Sequence, residues 1–328
     1  MSHMTHSEPH KEFVTATAIT SLIALAGVYL PVFGVVASLF LPLPVLFYRA
    51  KLGRSWGALI LIAVTLIVAT MMGWRSIPSA VFFFELGLVG LVLSEMFAMN
   101  VSLEKTVAVT TGVVIATGTL MLAVYGLVSA KSLWGLVSDY LHQNLELVLA
   151  MYRDMDVSDE GIVISAESLE GIHYVMLRLM PAVVIVSTLL VVWSNLLVAR
   201  PLLQSRRLFC PDFGTLNEWR APEPLVWVAI GAGVLLVVPH DGVKLFGVNG
   251  LLVMMMIYFF QGIAICSFYF EKKQFPRLLR GVLYGLIALQ QVVLLLVIAA
   301  GFFDMWVDFR RTKKGVDNDN ESNTERDD

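Results

Sequence analysis

Charge is scarce in this 328-residue chain: only 15% of its residues are Asp, Glu, Lys or Arg, where soluble domains carry about 25%. Hydrophobic residues make up 57%, and the mean hydropathy is +0.76. A soluble protein this apolar could not cover its surface. The formal net charge of -3 is too small to draw a polyanion, which excludes nucleic acid as a partner. Cysteine is nearly absent, with two residues only. Cys210 falls in a polar loop and Cys266 inside an apolar run, and neither belongs to a CxxC or Cys/His cluster, so neither a disulfide nor a metal site is expected. No GxSxG, HExxH, P-loop or GxGxxG lies in a supporting context. The chain therefore reads as a non-enzyme without a cofactor. If it moves a solute uphill, the ATPase is another chain.

What the sequence has in abundance is long apolar runs. A bilayer crossing needs about 20 such residues at 1.5 Å of rise each. Runs fall at 13–30, 32–48, 56–72, 79–96, 106–128, 181–199, 224–238, 247–270 and 281–302. The fold class is all-α: a polytopic transmembrane helix bundle of about 8–9 spans, in a domain covering 13–311. Pro42 and Pro44 should break the second run, since each removes a backbone donor. Residues 1–12 read as a flexible leader, and His3, His6 and His10 within it as part of that leader. The retained first run lacks a cleavage site of signal-peptide type. Residues 312–328 hold almost no apolar residues and read as a disordered tail.

Between spans five and six the pattern changes. In 131–153 the polar residues Ser138, Asp139, His142, Glu146 and Arg153 recur at helical steps among Trp134, Leu141, Leu145 and Val148. This is an amphipathic helix, suited to lying on the membrane or against other helices. The insert covers about 131–179, with Ser165 as the N-cap of a second helix running toward Pro181. His142, His173 and His240 lack i+3 or i+4 partner histidines, and no metal site is read from them.

Lys and Arg set the orientation. Arg49, Lys51 and Arg54 mark one cytoplasmic loop. Arg200, Arg206, Arg207 and Arg220 mark a second, and Lys272, Lys273, Arg277 and Arg280 a third. The N-terminus is then cytoplasmic and the insert extracytoplasmic, in the cytoplasmic (inner) membrane of a bacterium. Nine spans would leave Arg310, Arg311, Lys313 and Lys314 on the wrong side. Either one short segment is re-entrant, with 32–48 and 224–238 as suspects, or the tail is an exception to the rule.

Few residues carry chemistry at membrane depth. Glu85 lies mid-span, where an ionised carboxylate costs roughly 2.5–3.5 kcal/mol. Two readings apply: a proton-linked or ligand-contacting group facing a cavity, or a carboxyl holding helices together. Gly87, Gly90 and Ser94 beside it permit close helix approach under either. Asn195, Gln261, Gln290 and Gln291 are amides that prefer partners on other helices to lipid. Glu85, Asn195, Gln261 and Gln290 form the candidate ligand-binding set, for a small molecule held between helices. Asp304, Trp306, Asp308, Arg310 and Arg311 form a candidate docking site for a membrane or cytoplasmic partner protein. The alternative function is accordingly a scaffold or regulator that recruits partners through the insert and the tail.

Four motifs carry a resemblance: PLPVLFYRAKLG (42–53), NEWRAPEPLVW (217–227), NGLLVMMMIYFFQGIA (249–264) and, most specific, GFFDMWVDFRR (301–311). Together they resemble the YybS-like bacterial membrane proteins, a domain family of unknown function, from Phe13 to about Arg311. The resemblance implies a membrane protein and supplies no catalytic residues. At the level of fold alone, the proline-bearing early span and its basic-Gly turn are similar to the S components of energy-coupling-factor transporters, which bind a small molecule and borrow an ATPase. This chain differs from them in its greater number of spans and its long insert.

Overall fold

The structure is a computed structural model, and it describes residues 9–72, 77–154 and 166–310. Among them there is no β-strand. Twelve α-helices run in order: α1 Pro9–Tyr29, α2 Pro31–Leu39, α3 Pro42–Leu52, α4 Arg54–Met72, α5 Ile77–Ala98, α6 Leu103–Val128, α7 Leu133–Asp154, α8 Ala166–Ser205, α9 Pro224–Val237, α10 Asp241–Lys272, α11 Arg277–Leu289 and α12 Gln291–Val307. Proline opens α2, α3 and α9, where its fixed φ suits a first turn and its missing N–H is no loss. Left-handed residues follow several helices: Asn100 after α5, Ala130 after α6, Arg207 after α8, Gln274 after α10 and Asp308 after α12.

Among the described residues, seven helical segments are long and apolar enough to cross a membrane, and an eighth counts if α11 and α12 are one bent span. The proline break is where the sequence put it. Phe40 and Leu41 make short-range bonds to Ala37 and Ser38 between α2 and α3, yet 33–52 still has the length of one span. The sharpest bend lies elsewhere: α11 and α12 meet at 99° around Gln290, inside what the sequence presents as a single run. With 14 residues, α9 reaches only about 21 Å. Two further boundaries differ from expectation. α1 begins at Pro9, inside the expected leader, and its Glu12 forms an ion pair with Lys51 at 2.7 Å. α8 runs unbroken for 40 residues through Pro181 and Pro201, where the sequence suggested two elements. A helix lying among others can lose one backbone bond at a proline without ending. Ser165 and the 312–328 tail lie outside the described residues.

The chain forms two compact units, 1–213 and 214–328. In the first, Ala16, Leu41, Val45, Ile60, Val64, Phe83 and Leu86 form a core. Glycines set its tightest approach: a Cβ on Gly90 of α5 would stand 2.1 Å from the Pro42 carbonyl oxygen of α3. α7 packs along the first turns of α8, with the Ser138 Oγ 3.2 Å from His173 Nε2 and the rings of His142 and His173 edge to face. Trp134, Tyr140, Leu147 and Met151 remain exposed on α7.

In the second unit α9 and α12 pack on α10. Gly247 of α10 faces Ala232 and Leu235 near the end of α9, and Val226 and Ala229 of α9 cluster with Met254 and Tyr258. α12 crosses α10 where Gly262 meets Val297 and Gly301 meets Tyr258. A Cβ at either glycine would lie within about 2 Å of a backbone oxygen.

Candidate functional site

Three of the four motifs singled out in the sequence meet in the second unit. Asp304, near the end of α12, is fully buried, and its Oδ2 receives the Arg310 guanidinium at 2.5 Å. Asp308, left-handed just past the helix, turns the chain back so that Phe309 donates its N–H to Asp304 Oδ1 at 3.1 Å. Arg310, 3% exposed, donates onward to the carbonyls of Asn217 and Trp219 at 3.0 and 2.9 Å. Gln261 of α10 donates to Asp304 Oδ2 and accepts the Ala221 N–H, both at 3.2 Å. At the rim, Arg220 pairs with Asp308, Asn217 donates to Glu271, and the Tyr269 hydroxyl donates to the Phe309 carbonyl at 2.6 Å.

The arrangement is a closed latch. The buried carboxylate is neutralised by a buried guanidinium, and most of the remaining donors and acceptors are satisfied by backbone. Such a pair is weak evidence for stability on its own, but loss of one member strands the other charge. Chemically it holds the chain beyond α12 against the 217–221 loop. The left-handed turn at Asp308 sends the cation of Arg310 inward, and Asp308 finds Arg220. Of the five candidate docking residues, Asp304 and Arg310 face inward, Trp306 and Asp308 remain at the surface, and Arg311 lies outside the described residues. Arg220 was legible only as a loop charge.

The four candidate ligand-binding residues divide between the units, Glu85 and Asn195 in the first and Gln261 and Gln290 in the second. Glu85 sits on α5, its Oε2 accepting the Thr117 hydroxyl of α6 at 3.1 Å; its Oε1 is buried and has no partner. Gly118 leaves the carboxyl carbon 3.6 Å of clearance from an added Cβ. Asn195, fully buried on α8, donates to the Leu39 and Val191 carbonyls at 2.8 Å, and its Oδ1 is orphaned. Gln261 belongs to the latch. Gln290 is exposed at the α11–α12 bend.

The first unit also gathers charge at one end. Glu95 of α5 pairs with Arg49 at 2.7 Å and Arg54 at 3.3 Å, beside the Lys51–Glu12 pair. Sequence reasoning saw the cations as a loop and missed the carboxylates that collect them, because the partners lie about 40 positions away along the chain. In the following loop, burial pushes the Cys210 thiol above its ordinary pKa, with Arg200 partly offsetting it. Both cysteines are free. Among the described residues no group of three or more His, Cys, Asp or Glu is placed to hold a metal.

Known proteins match this chain in two ways. A family model described as a predicted membrane protein, DUF2232, matches residues 18–305. The uncharacterized protein YybS of Bacillus subtilis (strain 168) is 25% identical over 273 residues, covering 79% of this chain and 84% of its own length. No solved structure matches. The likeness to S components of energy-coupling-factor transporters rests on the sequence features alone. With an all-helical fold, seven or eight segments of spanning length and a family match over most of its residues, the chain belongs to the DUF2232 family of predicted membrane proteins.

Proposed function

We propose that this membrane protein binds a small polar solute or cation between the helices of its first unit, with Glu85 as the contacting carboxyl and no ATPase of its own. One observation supports this reading above others: Glu85 Oε1 is buried in a spanning helix without a hydrogen-bond partner, while Oε2 rests on Thr117. Buried polar atoms are nearly always partnered, so an orphan at a carboxyl invites a ligand or a proton. The test is thermal unfolding of the purified protein across panels of metabolites, Na⁺, K⁺ and pH. A stabilising condition that Glu85→Gln abolishes upholds the reading. If wild type and Glu85→Gln respond alike to every condition, it fails.

The second unit supports an orientation. Asn217 bonds both Glu271, at the end of α10, and Arg310, beyond α12, and Tyr269 reaches Phe309. These bonds support reading the ends of α10 and α12 at one level, with the 99° pair α11–α12 entering and leaving by one face. Arg310 then joins Lys272, Lys273, Arg277 and Arg280 on the cytoplasmic side, as the positive-inside rule requires. In a background with Cys210 and Cys266 replaced by Ser, single cysteines at Gln274 and Phe309 should label from the same side. Labelling from opposite sides rules the hairpin out.

The scaffold reading keeps one supporting feature. Phe303, Trp306 and Phe309 are exposed at the end of α12, next to the Arg220–Asp308 pair. Crosslinking in membranes that captures a protein lost in Trp306→Ala would favour it.

A further inference from the structure

A half-open cleft of about 430 Å³ lies at the charged end of the first unit, apart from Glu85 and independent of the function proposed above. Its polar lining is Glu12 and Thr15 from α1, Tyr48 and Lys51 from α3, and Arg206 just past α8; Phe47 and Leu208 supply apolar wall. Two cations face one carboxylate. Lys51 spends its charge on Glu12 at 2.7 Å. The Arg206 guanidinium has no acidic partner among the described residues and is exposed. The cleft therefore carries one net positive charge, presented by a planar fork of N–H donors that matches phosphate geometry. Tyr48 adds a phenol, a further donor, to the lining.

The position narrows the ligand. The cleft is built from the start of one spanning segment and the ends of two others, so it lies at the level where hydrocarbon gives way to headgroups. Phe47 and Leu208 give the same cleft an apolar side, which suits an amphiphile. We infer that this cleft binds a phosphate-bearing anion, the chemistry of an anionic phospholipid headgroup or of free phosphate, through Arg206 with Lys51 and Tyr48. Glu12 acts as a brake: its carboxylate neutralises one of the two cations and so limits affinity.

Thermal unfolding of the full chain in neutral detergent tests this, with phosphatidylglycerol, phosphatidylcholine or inorganic phosphate added. Phosphatidylglycerol should stabilise the wild type and phosphatidylcholine should not. Arg206→Gln should weaken the response about tenfold, the scale of one charge-assisted contact. Arg207→Gln, at the neighbouring residue that does not line the cleft, should leave it unchanged. Glu12→Gln should strengthen it, an outcome that damage to the fold would not produce. Stabilisation by inorganic phosphate to the same extent assigns the site to the free anion; stabilisation by the lipid alone assigns it to the headgroup. Equal responses from wild type, Arg206→Gln and Arg207→Gln overturn the proposal. Should Arg206→Gln fail to fold, Glu12→Gln decides alone, and no gain in that variant overturns it as well.

Discussion

Asp304 and Arg310 lie six positions apart, a spacing that no regular helix brings face to face. Their pairing depends on the left-handed turn at Asp308, and nothing in the residue types announces that turn: aspartate tolerates the conformation without requiring it. The sequence made the acidic, aromatic and basic residues of 301–311 conspicuous but left their direction open. Asp304→Asn should destabilise the second unit by about 3–5 kcal/mol, because it leaves a buried guanidinium uncompensated. Unfolding in detergent monitored by tryptophan fluorescence measures this. Joint replacement of Asp304 by Leu and Arg310 by Met should recover much of the loss, and no recovery would argue that Arg310 acts through the 217–219 carbonyls. Cys210 gives a second prediction at this scale. With its thiol held above the ordinary range by burial, alkylation by iodoacetamide should be slow at neutral pH and climb only at a higher pH than for an exposed cysteine. Full modification at neutral pH would contradict the burial.

Among the helices, apolar length predicted most elements to within a few residues, since every backbone group in lipid must be bonded within its own segment. It failed where two influences compete. Pro181 looked like a boundary and was absorbed into α8. Gln290, with no proline nearby, became the largest bend in the second unit. Amide composition hints at such a place, but the angle depends on how α12 must cross α10. That crossing rests on Gly262 and Gly301. Gly262→Leu or Gly301→Leu should cost about 1–3 kcal/mol or more, as the neighbour is backbone and cannot yield. Gly285→Ala on α11, where an added Cβ meets nothing, should be neutral or slightly stabilising. Comparing melting temperatures of the three variants checks the assignment, and equal effects would remove it.

For the molecule as a whole, scarcity of charge settled its solvent before any element was assigned. The protein should stay in the membrane pellet through high-salt and alkaline carbonate washes, and immunoblotting of both fractions tests it; release by either wash would contradict an integral fold. Function was far less legible. Polar residues at membrane depth could be picked out one by one, but whether they converge depends on helix rotation, which apolar sequences encode weakly. Glu85, Asn195 and Gln261 turned out to have separate partners. The latch also imposes an order on biosynthesis. Asp304 is translated before Arg310, and its buried countercharge exists only when residue 310 has left the ribosome. Until then the buried Asp304 carboxylate lacks its shortest ion pair, and the turn that closes the second unit cannot form.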